Sequence, residues 1–178
     1  MAGRVNPAAS WLALLGIPCG ESRQRKQTLE GYKMEYDFRQ CRAIYAELET
    51  ELGVYNWREV IEELKDDQDD FEVAGYRFIH KDSIDKIQQE ELANDEYMLG
   101  CFFPSFLAKH VGLCADTVEK LQKAEAYEAL GQMVISKGTI AALQAEYAGV
   151  DGYGHHFAHY DHNEYDLDNC KFFAFRVN

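Results

Sequence analysis

The sequence predicts a mostly helical α+β domain of about five to six helices, with a short central hairpin and a C-terminal antiparallel β-hairpin. Two observations carry that class. Over most of residues 34–147, apolar side chains recur three and four apart between caps and stops, the period of amphipathic helices. After Gly149 aromatic residues concentrate, and Phe173, Phe175 and Val177 alternate with Ala174 and Arg176, the period of a strand. A chain of 178 residues, 47% hydrophobic and 13% aromatic, can bury a core without staples, which excludes wholesale disorder.

Residues 1–30 are expected as a loosely ordered N-terminal arm before a single domain over 31–178. Within the arm, the apolar stretch 8–17 is signal-like in hydropathy. Only Arg4 precedes it, however, Ile17-Pro18 is a poor pair before a processed cysteine, and Arg23, Arg25 and Lys26 follow, so a cytoplasmic location is expected. No apolar run approaches the roughly 20 residues of a membrane helix.

The first helix carries Cys41, Ile44, Tyr45, Leu48 and Leu52, and Gly53 stops it. Asn56 caps the second, with Glu59 at the capping-box position. Residues 71–73 and 76–79 flank Ala74-Gly75 and read as a short hairpin or one kinked strand. Asp82 or Ser83 caps a helix containing Ile84, Ile87 and Leu92, and Pro104 opens a short helix that Gly112 closes. Asp116 and Glu119 form a capping box for one long helix through Val118, Leu121, Leu130 and Val134, ended by Gly138; residues 139–147 make the last short helix. Residues 153–160 and 171–177 are the strands of the C-terminal hairpin, covered by the long helix.

The net charge is −13, from 31 acids and 18 bases, which argues against a general nucleic-acid binder. Residues 47–96 alone hold 17 acids and five bases, net −12. Trp57, Val60, Ile61 and Leu64 follow helical spacing on one face of the second helix, and Glu59, Glu62, Glu63 and Asp66 follow it on another. With Asp67, Asp69 and Asp70 in the following loop, seven acids fall within 12 residues. A helix rises about 1.5 Å per residue, so Glu59 to Asp66 spans roughly 10 Å, over which duplex DNA shows about six phosphates. Such a surface matches a basic nucleic-acid groove on another protein; the alternative is a solvated face kept for solubility. A calcium loop is disfavoured, because residues 66–75 lack the EF-hand glycine and the final glutamate.

Four histidines, His155, His156, His159 and His162, lie within eight residues. On a helix, His155, His159 and His162 would share a face and serve as metal ligands, the basis of an alternative in which the protein is a metal-dependent hydrolase. Gly152, Gly154 and the interleaved aromatics favour a strand instead, which separates His155 from His159 by about 13 Å. The five cysteines form no C-x-x-C pair, which fits a reducing compartment, and Cys101 among large apolar neighbours reads as a buried, inert thiol. Gly152-Tyr153-Gly154 is too short for a phosphate loop, no catalytic constellation emerges, and no cofactor is expected. The C-terminal aromatics read as sheet core, with a homodimer contact through an edge strand as the functional alternative.

The stretch Phe71-Glu72-Val73-Ala74-Gly75-Tyr76-Arg77-Phe78-Ile79-His80, the segment His156-Phe157-Ala158-His159-Tyr160-Asp161 and the ending Phe173-Ala174-Phe175-Arg176-Val177-Asn178 resemble small acidic proteins of phages and mobile elements. The resemblance covers roughly residues 55–178 and assigns no residue roles. It implies an anti-defence inhibitor of the anti-CRISPR or antirestriction type. The expected partner is a bacterial defence protein or ribonucleoprotein complex, with no direct nucleic-acid or membrane binding. The acids expected at that contact are Glu59, Glu62, Glu63, Asp66, Asp67, Asp69 and Asp70.

Overall fold

The two hairpins expected separately join into one four-stranded sheet. The structure is a computed structural model in which residues 38–65 and 68–178 are described. The expected arm over 1–30, and the acids Asp66 and Asp67, lie outside the described residues. Helix α1 (Phe38–Glu47) runs into a π-helical turn, Leu48–Leu52, closed by Gly53 at φ 64°. There follow α2 (Trp57–Lys65), β1 (Asp70–Val73), β2 (Tyr76–His80), α3 (Ile84–Asn94), α4 (Glu96–Gly100), α5 (Pro104–Val111) and α6 (Ala115–Lys123). The remainder is α7 (Tyr127–Ser136), α8 (Ile140–Asp151), α9 (Gly154–Phe157), β3 (Tyr165–Leu167) and β4 (Phe172–Arg176). The class is α+β, with nine α-helices among the described residues, more than expected.

Strand order is β1-β2-β4-β3, antiparallel throughout, and the central pair aligns Phe78 with Ala174 and Ile79 with Phe173. Successive strand residues point to opposite faces. On one face Phe78, Phe172 and Ala174, with Phe71 and Leu167 from the edge strands, pack against Ile44, Leu48, Val60, Ile61 and Leu64. On the other, Ile79 and Phe175 pack against Ile84, Phe157 and Ala158. Both faces of β4 are therefore covered, so its aromatics occupy both parities rather than one. The helix expected to cover this hairpin lies elsewhere.

That other region is all-helical: Leu92, Leu99, Leu107, Val111, Val118, Leu130, Val134, Leu143 and Tyr147 form a separate core. The long helix expected through Val118 and Val134 is broken at residues 124–126, where Glu125 adopts φ 59° and the chain turns back. The turn lets α7 cross α4 at backbone contact. A Cβ on Gly100 would lie 2.0 Å from the Tyr127 carbonyl oxygen, and one on Gly131 would lie 2.0 Å from that of Glu96. Two glycines, each over the other helix's carbonyl, make an approach that no larger residue permits.

Local stops behave as their chemistry dictates. Gly53 and Gly112 end helices in the left-handed region, and Pro104 opens α5. Two expected caps differ. Ser83 spends its hydroxyl on Asp69 Oδ2 at 2.7 Å rather than on α3. Cys114 precedes α6, placing Asp116 inside the first turn, so no Asp116–Glu119 box forms. The strand expected over 153–160 is also replaced. The Glu164 carboxylate accepts the N–H groups of Tyr153 (2.8 Å) and Gly154 (3.3 Å) and caps the short helix α9. The first strand of the C-terminal hairpin is thus Tyr165–Leu167. Cys101, expected buried, follows α4 on its exposed side, while its neighbours Leu99 and Phe102 turn into the helical core.

Candidate acidic interface

Burial of Val60, Ile61 and Leu64 against the sheet fixes the rotation of α2. The same rotation turns Glu59 and Glu62 to solvent and leaves Glu63 half-buried, with Gln68 Nε2 3.5 Å from its carboxylate. Glu59 and Glu62 make no ion pair with any described residue. Beyond the loop, Asp69 is exposed, its carboxylate accepting the Ser83 hydroxyl and its carbonyl accepting the His80 N–H at 2.8 Å. Four of the expected acids therefore share the α2 face and the loop end. Tyr55, 76% exposed, stands two residues before α2.

Asp70 is placed apart from that group. Arg77 donates to it through Nε (2.8 Å) and Nη2 (2.7 Å), a bidentate, charge-assisted pair. The same Nη2 reaches Glu91 Oε1 at 2.5 Å, and Glu91 Oε2 lies 3.0 Å from His156 Nε2. Arg77 also lies 5.0 Å over the Phe157 ring. Burial pushes the Glu91 carboxyl up, but the hydrogen bonds from His156 and Arg77, with the guanidinium charge, outweigh it and hold the group at about 2. Asp70 is thus ion-paired within the protein.

The histidines separate in the same way. His156 belongs to the Glu91 chain, His155 packs against His162 with centroids 5.1 Å apart, and His159 is exposed. Among the described residues, no group of three or more His, Cys, Asp or Glu side chains could hold a metal ion. The thiols differ by setting. Burial pushes Cys170 up to about 12, whereas hydrogen bonds from Thr117 lower exposed Cys114.

A cleft of about 330 Å³ lies beside Tyr55, lined by Leu52, Val54, Tyr55, Tyr76, Arg176 and Asn178. Sequence reasoning missed it, as it missed the Arg77–Glu91 bridge, because the contributors come from separated segments. Tyr55 carried no signal either, since an aromatic beside an amphipathic helix usually packs inward. Among the described residues no helix is long and apolar enough to cross a membrane. Comparison with protein families, with curated proteins and with solved structures finds no match to this chain.

Proposed function

We propose that the protein is a non-catalytic acidic inhibitor of phage or mobile-element origin, acting in the cytoplasm of a bacterial host. Its partner is a nucleic-acid-handling defence complex of the restriction or CRISPR kind, whose nucleic-acid-binding surface it covers. The observation that supports this most is the outward face of α2. Glu59 and Glu62 stand on a helix held rigidly by its buried face, with Glu63 and Asp69 beside them. The segment around it carries net −12. Fixed carboxylates at this spacing compete for lysines and arginines that otherwise grip phosphates, and they release the counterions held there. Tyr55 adds a large amphipathic contact at the end of the stripe.

The test is a charge reversal. A variant with Glu59, Glu62, Glu63 and Asp69 each changed to Lys keeps the wild-type circular dichroism and loses capture of a nucleic-acid-binding complex from lysates of bacteria carrying defence systems. Wild-type capture weakens with salt and is displaced by DNA. Equal capture by wild type and variant would sink the proposal.

A further inference from the structure

The helices that end at Gly53 (φ 64°), Gly112 (φ 68°) and Gly138 (φ 67°) are each stopped by a glycine in the left-handed region. Helix α6 is stopped in the same way without one. Glu125 stands there at φ 59°, with its N–H on the Gln122 carbonyl at 2.9 Å and the Ala126 N–H on the Leu121 carbonyl at 3.0 Å. Those two bonds are the Schellman pattern, whose left-handed position favours glycine, and a side chain there costs the fold stability. No bond within the described fold offsets that cost. Glu125 is exposed and makes no ion pair or side-chain hydrogen bond with a described residue.

The carboxylate stands beside an aromatic pair. The rings of Tyr97 on α4 and Tyr127 on α7 lie 5.1 Å apart and tilted by 54°, and Tyr97 is 57% exposed. The Tyr97 hydroxyl is held above the ordinary phenol range by the Cys101 thiol first, then by lost hydration, by Tyr127 and by the Glu125 charge, so Glu125 lies within electrostatic reach of it. Glu96 and Glu128, the chain neighbours of the two tyrosines, are also exposed and make no ion pair with a described residue. An open aromatic pair among unanswered carboxylates attracts a cation and repels an anion, and two copies of the patch would set like charges face to face. A guanidinium lies flat on a tyrosine while its N–H fork reaches a carboxylate, a combination that an ammonium does not offer. We infer that Tyr97, Tyr127 and Glu125 form a docking site for an arginine side chain of a basic polypeptide partner, on the helical region rather than on α2.

The experiment follows the ring resonances of Tyr97 and Tyr127 in the full chain titrated with acetyl-Gly-Arg-Gly-amide. The same tripeptide with lysine, or with neutral, isosteric citrulline, serves as control, and its single charge keeps binding to the α2 stripe weak. Both tyrosines shift with the arginine peptide, less with lysine and not with citrulline. In Glu125→Gly the urea midpoint rises, because glycine adopts φ 59° freely, while the arginine peptide binds about fivefold more weakly. Tyr97→Leu keeps the wild-type circular dichroism and loses the preference for arginine over lysine. Equal shifts with citrulline, or undiminished binding to Glu125→Gly, overturn the inference. So does a lower urea midpoint in Glu125→Gly, which would give the carboxylate its role in the fold. Tyrosine resonances that move with protein concentration alone would assign the patch to a second copy and overturn it as well.

Discussion

The sheet region and the helical region solve the same burial problem with opposite materials. The sheet is packed by aromatics on both faces, Phe71, Phe78 and Phe172 on one and Phe157 and Phe175 on the other, and its rim is laced by the Arg77 ion pairs. The helical region is packed mainly by aliphatics and by two glycines that bring α4 and α7 to backbone contact. One region depends on large side chains from distant segments meeting, the other on the absence of side chains at two crossings. Damage should therefore take opposite forms: removal of atoms harms the sheet, and addition of atoms harms the helices.

Phe78→Ala is the largest test on the sheet side. It empties the centre of the stacked pair with Phe71, rings 5.1 Å apart. It should lower unfolding stability by about 3–5 kcal/mol in urea titration. Amide exchange should accelerate first in β1, β2 and β4. Gly131→Ala is the converse. One methyl group aimed at the Glu96 carbonyl should cost about 1–3 kcal/mol, and exchange should accelerate first in α4 and α7. Equal acceleration in both regions by either variant would show that they open as one unit.

Smaller effects sharpen the contrast at the rim. The folded Glu91 carboxyl sits at about 2 against an ordinary value of 4.5, so its contribution to stability is present above pH 4.5 and is lost as pH falls toward 2. Urea midpoints followed across that range should fall more steeply in the wild type than in Glu91→Gln. Parallel curves would show that the ionised Glu91 carboxylate adds nothing to folding. On the helical side, the exposed Lys123–Glu119 pair provides the baseline, and Lys123→Ala should leave the midpoint unchanged.

Legibility in sequence follows the same divide. Helix α2, the glycine stops at 53 and 112 and the Pro104 start were readable because each signal acts within one or two turns. The split between α6 and α7 was not, since capping residues and apolar period both continue across it; only the packing of Gly131 on Glu96 requires it. Helix α9 was hidden because its cap, Glu164, comes ten residues after Gly154. Within the acidic stripe, Glu59 and Glu62 could be placed from the helix period alone. The setting of Asp70 could not, because Arg77 answers it across the hairpin and Glu91 joins from α3.

The pairing of β2 with β4 has a consequence for biosynthesis. Phe78 meets Ala174, 96 positions further along the chain. Translation at about 5–20 residues per second separates the emergence of these two strands by about 5–20 s. Helices form in microseconds, so the helical region can close within that interval while β2 still shows an open hydrogen-bonding edge. For those seconds the nascent hairpin is a template for any extended segment nearby, and it is the stage at which a ribosome-associated chaperone has most to offer this protein.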